Sequence, residues 1–142
     1  MSLQRILTSL LRDMEADVRD YRKLQSLLDG QFKAALGHES ERIEVQGRDI
    51  MAMVDALDTR RQAREQMVRQ LLPKHPQPRM EALFQSLPAA ASDAMRVRWD
   101  TLEALVRECK ALNARNGYLM TQQHAMLRQV MQGEVEDTYA AA

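Results

Sequence analysis

The stretch Glu108-Cys-Lys-Ala-Leu-Asn-Ala-Arg-Asn-Gly-Tyr-Leu-Met120 lies within residues 91–131, a segment without proline. The apolar positions of the segment 91–131 recur every three or four residues, in two rows that we call the first and second heptad rows. The first row consists of Met95, Leu102, Cys109, Asn116, Gln123 and Val130, and the second of Leu105, Leu112, Leu119 and Met126. Two such rows predict one long helix that packs against other helices as in a coiled coil.

The pattern is interrupted by two residues in the middle of this helix. Asn116 takes a position of the first heptad row, and Gly117 follows it directly. Because glycine inside a helix costs about 1 kcal/mol relative to alanine, we expect a compensating role. One interpretation is local: a buried asparagine fixes the register, and the glycine lets a neighbouring helix approach closely. The other is that this patch docks a partner helix, and the two interpretations stay open at this point.

Composition favours a helical protein. The chain has 142 residues, the length of one domain, and only 4% of them are aromatic although 45% are hydrophobic. A core of Leu, Met, Val, Ile and Ala is typical of helical bundles, whereas sandwiches and barrels use more β-branched and aromatic residues. The 20 basic and 20 acidic residues balance, so no general attraction to nucleic acid or to anionic membranes is expected.

Cysteine content and hydropathy bear on the compartment. Cys109 is the single cysteine, which excludes an internal disulfide and fits a reducing environment. No apolar run approaches the roughly 20 residues of a membrane span. Arg12 and Asp13 interrupt the apolar start of the chain where a signal peptide would need its core. We therefore expect a cytoplasmic protein with no stable membrane insertion.

The remaining segments predict further helices. Ser2 is suited to cap the first helix, three prolines between Pro73 and Pro78 end the second, and Ser92 is suited to cap the last. The expected fold is all-α: one domain, 1–142, forming an elongated antiparallel bundle or coiled coil of three long helices plus a short connecting helix. The predicted helices cover about 2–36, 40–72, 79–87 and 91–132, with a flexible tail at 133–142.

Two arginines stand on heptad positions of the second helix. Arg61 and Arg64 lie in a basic run that extends from Arg60 to Arg79. Burial of unpaired charges would be costly, so we predict that this helix end projects beyond its partners, with the arginine side chains lying along apolar surface in solvent. The run has no interleaved aromatic residues, and nucleic acid is therefore not expected as a partner.

No constellation of residues indicates catalysis. The three histidines, His38, His75 and His124, lack the Glu-x-x-His spacing of di-iron bundles, and we expect no inward carboxylate at the heptad positions of the other helices. The glycines are isolated, and no serine or cysteine has the surroundings of an activated nucleophile. The prediction is a protein that is not an enzyme, with no catalytic residues, cofactor or metal.

A resemblance to a known family rests on the interrupted stretch itself. The run Leu112-Asn-x-x-Asn116-Gly117-Tyr-Leu119-Met120 resembles the Leu-Asn-x-x-Asn-Gly-aromatic-Leu-Leu signature of the FlgN family of flagellar type III export chaperones. The signature lies in the last long helix, as it does in that family. The long N-terminal helices with loosely repeating leucines extend the similarity over most of the chain, but only the signature is specific.

The resemblance implies a function and a binding surface. Members of the family hold the C-terminal helices of hook-associated (hook–filament junction) proteins in the cytoplasm, prevent their aggregation and deliver them to the export apparatus. The resemblance implies a client-binding surface on the last helix. In some members a tyrosine of the C-terminal tail contacts the export gate, and Tyr139 lies at a comparable distance from the signature. The implied client-binding residues are Leu112, Asn113, Asn116, Gly117, Leu119 and Met120.

A second hypothesis requires no client. The same heptad rows predict equally well a homodimeric coiled-coil scaffold whose apolar rows serve only self-association. In that case Asn116 is a register device alone. The two hypotheses differ in what lies on the last helix, because an exposed apolar face there would indicate a partner site.

Overall fold

The computed structural model describes the backbone of residues 2–141 and the side chains of residues 2–133. Four helices follow one another: α1 (Leu3–Leu36), α2 (Ser40–Leu71), α3 (Met80–Ser86) and α4 (Ala89–Ala141). No strand occurs in this part of the chain, and the all-α prediction is confirmed. The observed bounds lie within two residues of those predicted, except that α4 continues to Ala141 instead of ending near 132.

Local sequence explains the helix ends. Ser2 precedes α1 and its Oγ accepts a hydrogen bond from the Arg5 amide at 3.3 Å, as expected for a cap. The connection to α2 turns at His38, which adopts the left-handed φ of 54°. At α4 the expected cap is wrong: Ser92 lies buried inside the helix, which begins at Ala89 directly after Pro88. Pro88 takes the capping position instead, because its carbonyl accepts the first hydrogen bond of the helix, from the Ser92 amide at 2.9 Å.

The bundle is arranged around α1. Helix α2 runs antiparallel to α1, α4 runs parallel to it, and α3 packs between the end of α2 and the beginning of α4. In the described part of the chain, no Cα atom of α2 comes within 8 Å of one of α4. Each of the two long outer helices is therefore held mainly through α1.

Two apolar clusters form the core. The larger joins the first half of α1 to the end of α2, to α3 and to the beginning of α4. The smaller lies further along α1. The buried residues of the larger cluster are Ile6, Leu10, Met14, Val68, Met80, Leu83, Phe84, Met95 and Leu102, and those of the smaller are Leu24, Leu28, Ile50, Leu57 and Cys109.

A buried ionic cluster joins α1 to α2, contrary to two of the predictions. Arg64 is buried and donates to Asp17 Oδ2 at 2.6 Å, while Arg60 donates to Asp17 Oδ1 at 2.7 Å and to Asp20 at 2.9 Å. Helix α2 therefore does not project into solvent at Arg64, since α3 closes this end of the bundle. Asp17, only 1% exposed, is the inward carboxylate that we did not expect. Two arginines satisfy both its oxygens, which makes burial of the charge tolerable.

Arg61, the other arginine on the heptad rows of α2, stays at the surface. It donates to Asp58 at 2.9 Å and to Glu65 at 2.5 Å on the same helix. Such exposed pairs contribute little to stability. The prediction of a solvated arginine is thus confirmed at Arg61 and wrong at Arg64. Of these two arginines, Arg64 alone faces a carboxylate of α1.

Candidate functional site

Helix α4 is fastened to α1 by three side-chain donors of the first heptad row. Cys109 Sγ lies 3.5 Å from the Tyr21 carbonyl oxygen. Asn116 Nδ2 donates to the Leu28 carbonyl at 2.7 Å. The third bond joins Gln123 Nε2 to the Ala35 carbonyl at 2.8 Å. In all three pairs the two residues are 88 positions apart in the chain, so the two parallel helices keep one register over these heptads.

Asn116 is the most enclosed of these donors. Its side chain is 1% exposed, and it also donates to Gln31 Oε1 at 3.1 Å. Its own Oδ1 accepts from the Arg115 guanidinium at 3.1 and 3.2 Å, and that guanidinium stacks 3.8 Å from the ring centre of Phe32. A buried asparagine with all these partners supports the local interpretation, in which Asn116 sets the register between α4 and α1.

Cys109 is a buried, inert member of the same row. Burial raises the pKa of its thiol to about 11, and the carboxylates of Glu108 and Asp29 act in the same direction. Since the thiolate is the reactive form, this cysteine is not a nucleophile near neutral pH. Among the described side chains, no group of three or more His, Cys, Asp or Glu residues lies close enough together to hold a metal ion.

Gly117 has a different environment from its neighbour. A Cβ atom built on it would meet nothing within 4 Å. None of the described residues therefore requires glycine at this position, and the interpretation that Gly117 admits a neighbouring helix within the described bundle is wrong. Asn113, one turn earlier, is exposed on the same flank of α4.

The last hydrogen bond between α4 and α1 is that of Gln123, and α1 itself ends at Leu36. Helix α4 continues beyond this point, and we call residues 124–141 the overhang. From His124 to Gln132 every residue except Ala125 is exposed. The next position of the first heptad row, Val130, has no α1 residue left to meet and is 59% exposed.

A row of apolar side chains begins just before the overhang and continues along it, on the side of α4 that faces α1 in the earlier heptads. We call this row the apolar stripe. Its spacing of three, four and seven residues places all its members on one helical face. Leu119 and Met120, at the start, are partly covered, whereas the later members are 57% to 64% exposed. The stripe consists of Leu119, Met120, Met126, Leu127, Val130 and Met131.

The predicted client-binding residues thus fall into three groups. Leu119 and Met120 belong to the apolar stripe, Asn113 and Gly117 lie exposed beside it, and Leu112 and Asn116 pack against the α1 side. Tyr139, and the predicted flexible tail from residue 134 onward, lie outside the residues whose side chains are described. Sequence reasoning did not identify the stripe beyond Met120 as a surface. A comparison of helix lengths would have indicated it, because the heptad rows of α4 extend beyond the end of α1.

The family model described as FlgN protein matches residues 1–133. Searches of curated proteins and of solved structures each gave no match. None of the described helices combines the length and apolar character that crossing a membrane requires. The match covers nearly all of the described chain and includes the signature on α4, and this protein therefore belongs to the FlgN family of flagellar export chaperones.

Proposed function

We propose that this protein is a cytoplasmic chaperone that binds the C-terminal helical region of hook-associated proteins, keeps it from aggregating and delivers it to the type III export apparatus. Family membership supports the class of protein. The observation that carries the proposal is the apolar stripe of α4, in which four large hydrophobic side chains are more than half exposed. Apolar patches of this kind on a monomer are typical of partner sites.

The mode of binding follows from the register of α4. In the bundle, the first heptad row packs against α1, and beyond Gln123 the same face is open. A client helix that lies beside the overhang, on the extension of α1 beyond Leu36, would cover the stripe with its own apolar face, as in other helix-in-groove complexes. Exposed methionines suit such a surface, because their flexible thioether side chains adapt to different apolar partners.

The residues of the signature then have separate roles. Leu119, Met120 and the rest of the stripe contact the client, and Gly117 leaves its flank of α4 open to a closely approaching backbone. Asn116 acts indirectly, by holding α4 on α1 so that the overhang continues in a fixed direction. Tyr139 is proposed to contact the export gate, as the family resemblance implies.

The proposal is tested by a charge placed in the stripe. Val130→Glu should weaken binding to a purified C-terminal region of a hook-associated protein by about tenfold or more, because it removes apolar contact and would bury an unpaired carboxylate. Val97→Glu is the matched control, since Val97 is a similarly exposed valine, 67% against 59%, on the same helix but far from the stripe. Equal loss of affinity in both variants, or in neither, would contradict the proposed site.

The homodimeric scaffold remains the alternative, because a second copy is also able to cover the stripe. Sedimentation velocity separates the two functions. A chaperone whose site is free should form no dimer through the apolar stripe and should bind the client one to one. A scaffold should form a dimer that Val130→Glu dissociates, and it should not bind the client region.

A further inference from the structure

A groove lies at the opposite end of the molecule from the overhang, between the end of α2, the proline loop and α4. Its volume is about 620 Å³, which is enough for several side chains of a peptide. The apolar floor is formed by Val68, Met80 and Trp99. Pro76 and Pro78 form one wall, and neither of them has a backbone N–H to offer a ligand.

The groove is strongly basic. Four arginines line it, Arg61, Arg64, Arg69 and Arg79, against the single glutamate Glu65. Arg61 and Arg64 already hold carboxylates of the bundle. Arg69 and Arg79 are exposed and take part in no ion pair of the described residues, so their guanidinium groups are available to a ligand.

The chemistry of the groove favours carboxylates over phosphates. The loop offers no nest of free amides, because the Gln77 amide donates to His75 Nδ1 and the Arg79 amide to the Gln77 carbonyl. Trp99 is the only aromatic lining residue, and the Arg64 guanidinium covers its ring at 5.3 Å from the centre. Stacking of nucleobases is therefore disfavoured. Guanidinium groups beside an apolar floor suit an acidic peptide that also carries apolar side chains.

The chain itself contains a segment of this chemistry. Residues 133–142, Gly-Glu-Val-Glu-Asp-Thr-Tyr-Ala-Ala-Ala, hold three carboxylates and no basic residue, together with Val135 and Tyr139. Along α4 the distance from Trp99 to Gly133 is about 50 Å at the helical rise, so the segment cannot enter the groove of its own chain. We infer that the groove binds the acidic C-terminal segment of a second copy.

The symmetry of such a contact is simple. Two copies lying antiparallel would place the acidic segment of each at the groove of the other, which closes the assembly as a two-fold dimer. The contact is electrostatic in its specificity and should weaken as salt screens the charges. This inference does not depend on the proposed client or on the apolar stripe, and the segment would have to leave the groove before Tyr139 contacts the export gate.

The first test uses Trp99, the single tryptophan, as a fluorescent probe of the groove. A peptide of residues 133–142 titrated into the full-length protein at low salt should give a saturable change in fluorescence. A matched peptide with Glu134→Gln, Glu136→Gln and Asp137→Asn should bind about tenfold more weakly or worse. Equal binding of the two peptides, or no binding of the acidic one, would overturn the inference. So would a stronger response to ATP or to single-stranded RNA, which would assign the groove to phosphates.

The second test uses the full chain and a charge exchange. Sedimentation at low salt should show self-association that Arg69→Glu with Arg79→Glu abolishes, whereas Arg48→Glu, an exposed change elsewhere on α2, should leave it intact. Mixing the Arg69→Glu, Arg79→Glu chain with a chain carrying Glu134→Arg and Glu136→Arg should restore association between the two variants, which a misfolded groove could not do. Association that is insensitive to these exchanges, or that Val130→Glu removes instead, would contradict the inference.

Discussion

The two parts of helix α4 have the same apolar periodicity but different surroundings. From Met95 to Gln123 the first heptad row meets α1, and its members from Met95 to Asn116 are all less than 5% exposed. From His124 onward the same pattern faces solvent, because α1 has ended. The difference shows that a heptad pattern specifies a face that packs, while the length of the neighbouring helix decides whether that face becomes core or a binding surface.

The largest loss of stability is expected at the closed end of the bundle, where the first part of α4 is packed. Asp17→Ala should lower the free energy of unfolding by about 3–5 kcal/mol, because it leaves Arg64 buried without its carboxylate. Urea denaturation followed by circular dichroism measures this. The control is Asp58→Ala, which removes an exposed partner of Arg61 and should change stability by no more than about 0.5 kcal/mol.

A matched pair of leucines compares the two parts of α4 directly. Leu102 is 2% exposed in the core and Leu127 is 57% exposed on the overhang. Leu102→Ala should cost about 2–5 kcal/mol of stability, whereas Leu127→Ala should leave stability within about 0.5 kcal/mol. Leu127→Ala should instead weaken client binding, by about tenfold if the side chain is buried in the complex. A large loss of stability from Leu127→Ala would show that the overhang is already packed.

Two asparagines of the signature, one buried and one exposed, test whether hydrogen bonds to α1 stabilise the position of α4. Asn116→Ala should cost about 1–3 kcal/mol, since Gln31 Oε1 and the Arg115 guanidinium lose a buried partner. Asn113→Ala, three residues earlier and exposed, should be close to neutral in thermal or urea unfolding. If the two variants were equally stable, the buried hydrogen bonds of Asn116 would not be what holds α4 on α1.

The smallest effect concerns reactivity and the alkaline limit of stability. Because burial holds the pKa of the Cys109 thiol near 11, above the ordinary 9.0, its thiolate at pH 8 should be about 100 times scarcer than in an exposed cysteine. The rate of labelling of Cys109 by a thiol reagent should be lower by a similar factor than that of an exposed cysteine. Ala111→Cys in a Cys109→Ala background is the exposed control. The unfolded thiol loses its proton first, so stability should fall as the pH rises from 9 to 11. Equal labelling rates would mean that α4 opens readily from α1.

Much of this architecture could be predicted from the sequence, because it depends on local rules. Prolines at 73, 76 and 78 end α2, Ser2 caps α1, and the heptad rows predict the long packed helices. The family signature likewise lies in one short stretch of α4. These features are written in neighbouring residues, and no knowledge of the partner helix is needed to find them.

The errors came from contacts between distant residues. Arg64 was predicted to be solvated because its partner, Asp17, lies 47 positions away on α1, and the sequence of α2 alone does not reveal it. Gly117 suggested a close neighbour, yet no described residue lies there. The exposed stripe depends on where α1 ends relative to α4, a quantity set by the 88-residue offset between the two helices and not by the sequence of α4 alone.

The most direct test of this account is amide hydrogen exchange of the full chain, free and with the purified C-terminal region of a hook-associated protein. In the free protein, amides of 95–116 should exchange slowly and those of 124–133 rapidly, since only the first group packs against α1. Addition of the client region should slow exchange across 119–131 and leave the rest of the bundle unchanged. Slow exchange of the overhang in the free protein, or protection by the client confined to other helices, would contradict the claim that the apolar stripe is the binding surface.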